Sequence, residues 1–541
     1  MSETIKVTIV INDEKLNTEF EAQNENSVVV THDSSMTIMS TLLKNDLISG
    51  SFCGGRGDCG RCRIQFLKGM TVPTPLERSL MEAEELRQGY RLACLARPKD
   101  DCVIKLALVN SPKIDIISEM IDVTEKIDYL GQPKKQTENQ KSDVTESKEK
   151  LYIASVKNQY NTGDIFKGSG TLIAVDLGTT TIAMQLMVID TGQVVDTYCE
   201  MNPQRCYGAD VLSRIKASCE GNRESLQHMV IEVLERGVSR FEECLSGRNT
   251  IIRGMCIAGN TTMEHLLMGY DVTSLGASPF TPVEIGLQEY MHPAWEFPVW
   301  LTPGISAFVG GDIVAGLYAL QMLPDVQISG SQTGQKNVTL LIDLGTNGEM
   351  AITDGTRMIV TATAAGPAFE GGAGAGVVGS DMIACTASLL RQGIMDESGL
   401  FAEPYFTEGV IVGEPAVRLC NKDIRDIQMA KAAVRAGIEI LWRQMGEPEI
   451  RRVHLAGGFG YYLDVEAAFC IGLLPARMRG RVDSAGNTSL AGAFRIGRDL
   501  WRRRTDKKTL EQRLSYIESV NLAEQEAFEE VYVRYMNISE S

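Results

Sequence analysis

TLIAVDLGTTTIAMQLMV (Thr171–Val188) and VTLLIDLGTNGEMAIT (Val338–Thr353) carry the same pattern twice. Each is an apolar run, then Asp-Leu-Gly-Thr, then a second apolar run; the two aspartates are Asp176 and Asp343. A short apolar run bounded by glycine and hydroxyl residues reads as a buried strand that ends in a turn. Each copy therefore predicts a strand, a tight turn and a returning strand. Such a turn offers backbone N–H groups and threonine hydroxyls to phosphate oxygens. An aspartate at the strand end can hold hydrated Mg²⁺ or orient a water. One copy is a weak signal. Two copies whose aspartates stand 167 positions apart (343 less 176) imply two similar subdomains facing one ligand.

Further glycine-rich turns surround the repeat. VHLAGGFGYYLD (Val453–Asp464) predicts a strand and then a turn at Gly457, Gly458 and Gly460, where bare backbone can lie flat against a nucleobase or ribose. MCIAGNTTMEHLL (Met255–Leu267) predicts a strand, a Gly259-Asn260-Thr261-Thr262 turn and a helix. GGDIVAG (Gly310–Gly316) and AGPAFEGG (Ala365–Gly372) add two more turns. Each of these alone is ordinary loop chemistry. Together with the repeat they resemble the superfamily of actin, sugar kinases and heat-shock chaperone ATPases, over residues 169 to about 500.

That resemblance implies two RNase-H-like subdomains closing on ATP and Mg²⁺. It places Asp176, Gly178, Thr179, Thr180 and Thr181 in a first phosphate motif, and Asp343, Gly345, Thr346, Asn347, Gly348 and Glu349 in a second. Gly457, Gly458 and Gly460 fall in the adenosine motif. Phosphoryl transfer needs positioning and charge neutralisation more than covalent chemistry. Asp176 is accordingly the candidate for the Mg²⁺-water contact and Asp343 for orienting the attacking water. Glu349 is either a supporting acid or a solvent-exposed hairpin residue.

A second signal lies near the N-terminus, in SFCGGRGDCGRCRIQF. Cys53, Cys59 and Cys62 have the spacing C-x5-C-x2-C, and Cys94 follows in RLACLARP. Three thiols on one loop and a fourth from elsewhere suit a 2Fe-2S cluster. Zinc is the competitor, but it usually takes two close pairs of ligands. The glycines between the cysteines permit a loop that wraps closely and aims its amides at sulfide. This region resembles a plant- or adrenodoxin-type ferredoxin over about 100 residues, with the first gap nearer the adrenodoxin-like pattern. The resemblance implies a β-grasp fold and one-electron transfer. Cys102 reads as an ordinary buried thiol. Arg56, Arg61 and Arg63 either dock an acidic partner or balance the cluster's charge.

Composition bounds the rest. The 541 residues divide into 1–110, a ferredoxin-like domain; 111–168, a polar linker; and 169–541, the α/β nucleotide domain with its two subdomains. Gln132–Lys150 carries nine charges in nineteen residues and one apolar residue, Val144, so it cannot bury enough surface to order itself. It either lets the first domain swing or merely joins the two. A net charge of −17 argues against nucleic acid as a partner. No run approaches the ~20 apolar residues of a membrane span. The N-terminus has charges inside its apolar run, which excludes a secretory signal and points to the cytoplasm. In that compartment the thirteen cysteines are reduced thiols. The run Arg502–Arg504 with Lys507 and Lys508 reads as a solvated helix face.

A ferredoxin joined to such an ATPase resembles the reductive activators of corrinoid-dependent methyltransferase systems, over nearly the whole chain. The resemblance implies ATP-dependent transfer of one electron to cob(II)amide, giving cob(I)amide. The partners would be a corrinoid protein and an electron donor, and a homodimer is plausible on the same ground. Cob(I)amide lies below a typical ferredoxin potential of about −400 mV. Each ~59 mV uphill costs a factor of ten for one electron, so an external energy source is required. Some members have an additional middle domain, for which 111–168 is too short and too polar. A redox-sensing binding protein with an inert nucleotide fold, an activator of radical dehydratases and a redox-regulated kinase are the alternatives.

Overall fold

The computed structural model describes residues 4–10, 27–34, 36–45, 47, 62–81, 83–106, 170–208, 210–324, 338–345, 347–365, 379–412 and 417–539. The linker 111–168, Cys53, Cys59, Thr346 and nearly all of AGPAFEGG lie outside them.

The first sheet contains β1 (Thr4–Val10), β2 (Ser27–Asp33), β3 (Arg63–Lys68), β4 (Tyr90–Leu92) and β5 (Cys102–Leu106), in the order β2-β1-β5-β3-β4. The alternation in IKVTIVI buries Ile5, Val7 and Ile9 on one face. Val7 and Ile9 join Phe66, Leu92 and Ile104 in one core. β1 runs antiparallel to β2 and parallel to β5, as the β-grasp expectation requires. Two short helices, Pro75–Leu80 and Ala83–Arg87, lie between β3 and β4.

The duplicated pattern builds two further sheets of matching topology. One contains β6 (Thr171–Leu177), β7 (Thr181–Val188), β8 (Val194–Met201), β9 (Ile252–Gly259), β10 (Gln288–Met291) and β11 (Pro298–Leu301), ordered β10-β11-β9-β6-β7-β8. The other contains β12 (Val338–Leu344), β13 (Gly348–Thr353) and β14 (Met358–Thr363). After a small hairpin, β15 (Val410–Val412) with β16 (Val417–Leu419), it is completed by β17 (Ile450–Ala456), β18 (Val482–Gly486) and β19 (Ile517–Val520). Its order is β18-β17-β12-β13-β14-β19. In both, three antiparallel strands form a meander. The next long strand then pairs in parallel with the first: β9 on β6, and β17 on β12. The fold is thus a ferredoxin domain with an actin- and sugar-kinase-like α/β pair of sheets.

Both faces of these two sheets are apolar, because both are covered. Ile173 and Val175 pack under the helix Arg223–Leu245, which aims Leu226, Val230, Val233, Leu234 and Phe241 at them with helical spacing. The opposite side, Leu172 and Ala174, meets Leu490, Ala493 and Phe494 of the helix Thr488–Trp501. The second sheet repeats the arrangement. Leu340 and Ile342 face the helix Asn421–Gln444, and Leu341 faces Ile313 and Leu317 of the helix Gly311–Ala319. Each fully buried Leu or Ile here contributes about 1.5–3 kcal/mol over exposure. The helices Gly311–Ala319 and Thr488–Trp501 therefore each pack on the sheet from the other half of the chain. They cross closely: a Cβ on Gly492 would lie 1.9 Å from the carbonyl oxygen of Ala315.

Two local expectations change. The glycines after β17 open a helix, Gly457–Tyr462, because Gly457 turns the chain sharply at φ +83°. The basic run is not one helix face. Arg502 ends the helix Thr488–Trp501, Arg503 takes φ +56°, and Lys507 begins the next helix. Among the described residues no helix is long and apolar enough to cross a membrane.

Candidate functional site

The turn between β6 and β7 is held by its carbonyl side. Asn202 donates from Nδ2 to Gly178 O at 2.9 Å and from its backbone N–H to Thr180 O at 2.8 Å. The fully buried Arg214 guanidinium donates to Thr179 O. In a trans peptide the N–H points opposite to the preceding C=O. Tying back these three carbonyls aims the N–H groups of Thr179, Thr180 and Thr181 to the other side of the turn, where an anion would find them. Asn260 fixes the same turn to the Gly-Asn-Thr-Thr segment, donating from Nδ2 to Thr179 Oγ1 at 3.0 Å while capping the next helix through Met263 N–H.

Five carboxyl groups converge beside this turn. Asp176 and Asp343 end β6 and β12. Glu349 is directly opposite Asp343 in the ladder, whereas Ala183 is opposite Asp176, so the two copies differ at this position. Asp312 stands in the first turn of the helix Gly311–Ala319. Glu264 lies in the helix Thr261–Leu267, accepting from Gly259 N–H at 3.2 Å and Thr302 Oγ1 at 3.3 Å. Glu349 and Glu264 are buried, which excludes a solvent-exposed hairpin position for Glu349.

Their electrostatics report one shared cleft. Burial pushes the Asp176 carboxyl up to about 6, against a hydrogen bond from Asn487 that lowers it. Burial, and then the Asp176 charge, carries Asp312 to about 7. Asp343 reaches about 8, through burial and then repulsion from Asp312 and Asp176. Burial with repulsion from Asp312 and Asp343 holds Glu349 well above the carboxylate range, and burial with Asp312 does the same for Glu264. Acids that raise one another in this way are stabilised in their charged forms by a cation. Among the described residues no three His, Cys, Asp or Glu side chains are close enough to hold a metal directly. The donor set fits Mg²⁺, which keeps several waters and takes one or two carboxylates.

The glycine segment after β17 borders the same acids. Gly457 lies against Asp343, and the space where a Cβ of Gly458 would stand is open. Gly345 closes its turn by donating its N–H to Asn347 O at 2.9 Å, and Gly348 begins β13. Gly460 lies in the short helix and packs on Leu455. The three expected acids thus meet, with Gly457 beside them. Asp312, Glu264 and Asn487 were missed as individual residues. Asp312 and Glu264 sit inside glycine-rich segments noticed for their turns; Asn487 gave no signal in the sequence.

At the other end of the chain, Cys62 and Cys94 bring their sulfurs to 3.2 Å of each other. Cys62 immediately precedes β3 and Cys94 closely follows β4, its antiparallel neighbour. Two thiols from distant positions meeting at this separation fit ligation of one iron–sulfur centre. Cys102 is buried in the core on β5, where burial pushes its thiol up to about 11.

The fold and the cleft define an ASKHA-type nucleotide domain preceded by a ferredoxin domain. Residues 337–375 and 373–541 match the model described as the C-terminal domain of RACo, the ASKHA domain, and 171–325 match the RACo middle region. Residues 21–99 match the 2Fe-2S iron-sulfur cluster binding domain. Between them the two RACo models span 171–325 and 337–541, so the chain carries the domains that they describe. The middle region coincides with the first sheet of the repeat, so by this description it is present and does not lie within 111–168.

The corrinoid activation enzyme RamQ of Eubacterium limosum is 29% identical over 59% of this chain and 63% of its own length. The match therefore spans less than two thirds of that relative. The Co(II) methylated amine-specific corrinoid protein reductase of Methanosarcina barkeri is 23% identical over 59% of this chain and 68% of its own. A solved reductive activator for corrinoid, iron-sulfur protein shares the fold, with a TM-score of 0.58 and 23% identity over 99% of this chain and 98% of that one.

Proposed function

We propose that this protein is an ATP-hydrolysing activator that returns the cob(II)amide of a corrinoid protein to cob(I)amide in a methyltransferase system. The observation that carries the proposal is the joining of two sites in one chain. Paired sulfurs of Cys62 and Cys94 lie in a ferredoxin domain, and the carboxyl-lined cleft of Asp176 and Asp343 lies in an ASKHA domain. The relatives named for corrinoid activation and corrinoid reduction support it.

When bound, the cluster supplies a one-electron donor and ATP–Mg²⁺ supplies the free energy that the uphill potential demands. The chain's own residues do the rest. Cys53, Cys59, Cys62 and Cys94 hold the cluster. The N–H groups of Thr179–Thr181 would face phosphate, with the turn closed by Gly345 and Asn347 on its second side, and the open side of Gly458, between Gly457 and Gly460, leaves room for the nucleoside. Asp176 would hold hydrated Mg²⁺. Asp343 orients the attacking water, and Glu349 and Asp312 set the field around it. ATP drives the change only if its bound states differ in affinity for the partner. An external electron donor, a cytoplasmic setting and a homodimer complete the proposal.

The test is ATP turnover measured alone and with a Co(II)-state corrinoid protein from the same source. Stimulation by the partner is expected. Turnover indifferent to every corrinoid protein offered would overturn the assignment.

A further inference from the structure

We propose that Asn487 is a positioning residue that orients the Asp176 carboxylate and ties it to the helix Thr488–Trp501, so that Mg²⁺-nucleotide binding at Asp176 depends on that helix. The inference rests on the nucleotide reading above and adds a residue that none of its motifs contains.

Asn487 uses both ends of its amide. Oδ1 accepts from Leu490 N–H at 2.8 Å and caps the helix, while Nδ2 donates to Asp176 Oδ2 at 2.8 Å. Serine and aspartate cap helices as well as asparagine does. Neither carries an N–H donor at this reach, so capping alone does not account for the residue. The first turn of the helix adds a second tie: Ser489 Oγ donates to Asp312 O at 3.2 Å. Thr488 and Ser489 are buried, which makes this an interior junction and not a surface cap.

The junction completes a lateral path between the two duplicated aspartates. Asp343 is paired with Ala456 across β12 and β17, and Ala456 with Gly486 across β17 and β18. Asn487 follows Gly486 and reaches Asp176. Beyond the junction the helix crosses Gly311–Ala319 at Gly492 and lies on Leu172, Ala174, Cys256 and Ala258 of the first sheet. One side chain thus links the second sheet, the crossing helix and the metal-side acid of the first sheet.

The experiment uses the full-length protein and a fluorescent ADP analogue, with and without Mg²⁺, beside thermal unfolding of the ligand-free chain. Asn487→Ser keeps the cap oxygen and removes the donor; Asn487→Ala removes both. For Asn487→Ser the midpoint should stay within roughly 2 °C of the parent, since the cap remains. Affinity for Mg²⁺–ADP should fall about tenfold, as expected for a lost bond to a charged group. Affinity for metal-free ADP should not change. Asn487→Ala should show the same metal-specific loss with a lower midpoint. Parent-like Mg²⁺–ADP affinity in Asn487→Ser would overturn the proposal. So would an equal loss with and without Mg²⁺, which would mark a merely structural role. A parent that binds no ADP at all would overturn the nucleotide reading itself, and this inference with it.

Discussion

A Cβ added to Gly457 would lie 2.3 Å from Oδ1 of Asp343, which joins the glycine segment after β17 directly to the acid that ends β12. No side chain fits there without moving the carboxylate, and φ +83° strains any residue but glycine. Gly457→Ala should therefore displace Asp343 and lower kcat for ATP roughly 10- to 100-fold, the usual cost of misplacing a reacting group by an ångström. The visible spectrum of the ferredoxin domain should not change. Turnover equal to the parent's would show that Asp343 does not need its present position.

The meeting of Cys62 and Cys94 makes a separable prediction. Cys94→Ala should remove the visible and EPR signals of a reduced 2Fe-2S centre while ATP turnover persists, because Cys94 belongs to the ferredoxin core. A parent-like spectrum would exclude Cys94 as a ligand.

Asp176→Asn keeps shape and an acceptor for Asn487 but removes the charge proposed to face Mg²⁺. ATP turnover should fall about 100-fold or more, as when a preorganised electrostatic contact is lost. The cluster spectrum should remain. Unaltered ATPase activity would remove Asp176 from the mechanism.

These residues show what the sequence reveals. The Asp-Leu-Gly-Thr repeat is local, so strand, turn and returning strand were all readable around Asp176 and Asp343, and the matched sheet orders follow from it. Glu349 was readable because it lies just across the hairpin from Asp343. Asp312 and Glu264 reach the cleft only through the placing of two helix starts, and Asn487 only through strand pairing between β17 and β18. Nothing within a few residues of these positions signals such a meeting. The helix at Gly457 was hidden for a related reason: glycine-rich sequence marks a turn, and the turn here starts a helix.

Buried Lys431 supplies a pH prediction away from the cleft. It is 1% exposed, its ammonium donates to Asn537 O, and burial with the nearby Arg435 charge lowers it to about 7. Unfolded lysine keeps its proton to about 10.4, so between about 7 and 10 the unfolded chain binds more protons than the folded one. Stability from this group must rise with pH across that window, by up to about 1.4 kcal/mol per unit. Urea unfolding of the parent against Lys431→Met should show the parent gaining on the variant from pH 7 to 10 and no trend below 7. A difference independent of pH would contradict the burial of an unprotonated amine.

The central claim is that ATP lets this protein drive a corrinoid to cob(I)amide. The most direct measurement mixes the reduced protein anaerobically with a cob(II)amide-loaded corrinoid protein from the same source. The cobalt absorbance is then followed with and without ATP–Mg²⁺. The account predicts cob(I)amide only when ATP–Mg²⁺ is present. Cobalt that stays as cob(II)amide while ATP is hydrolysed, or that is reduced equally well without ATP, would contradict it.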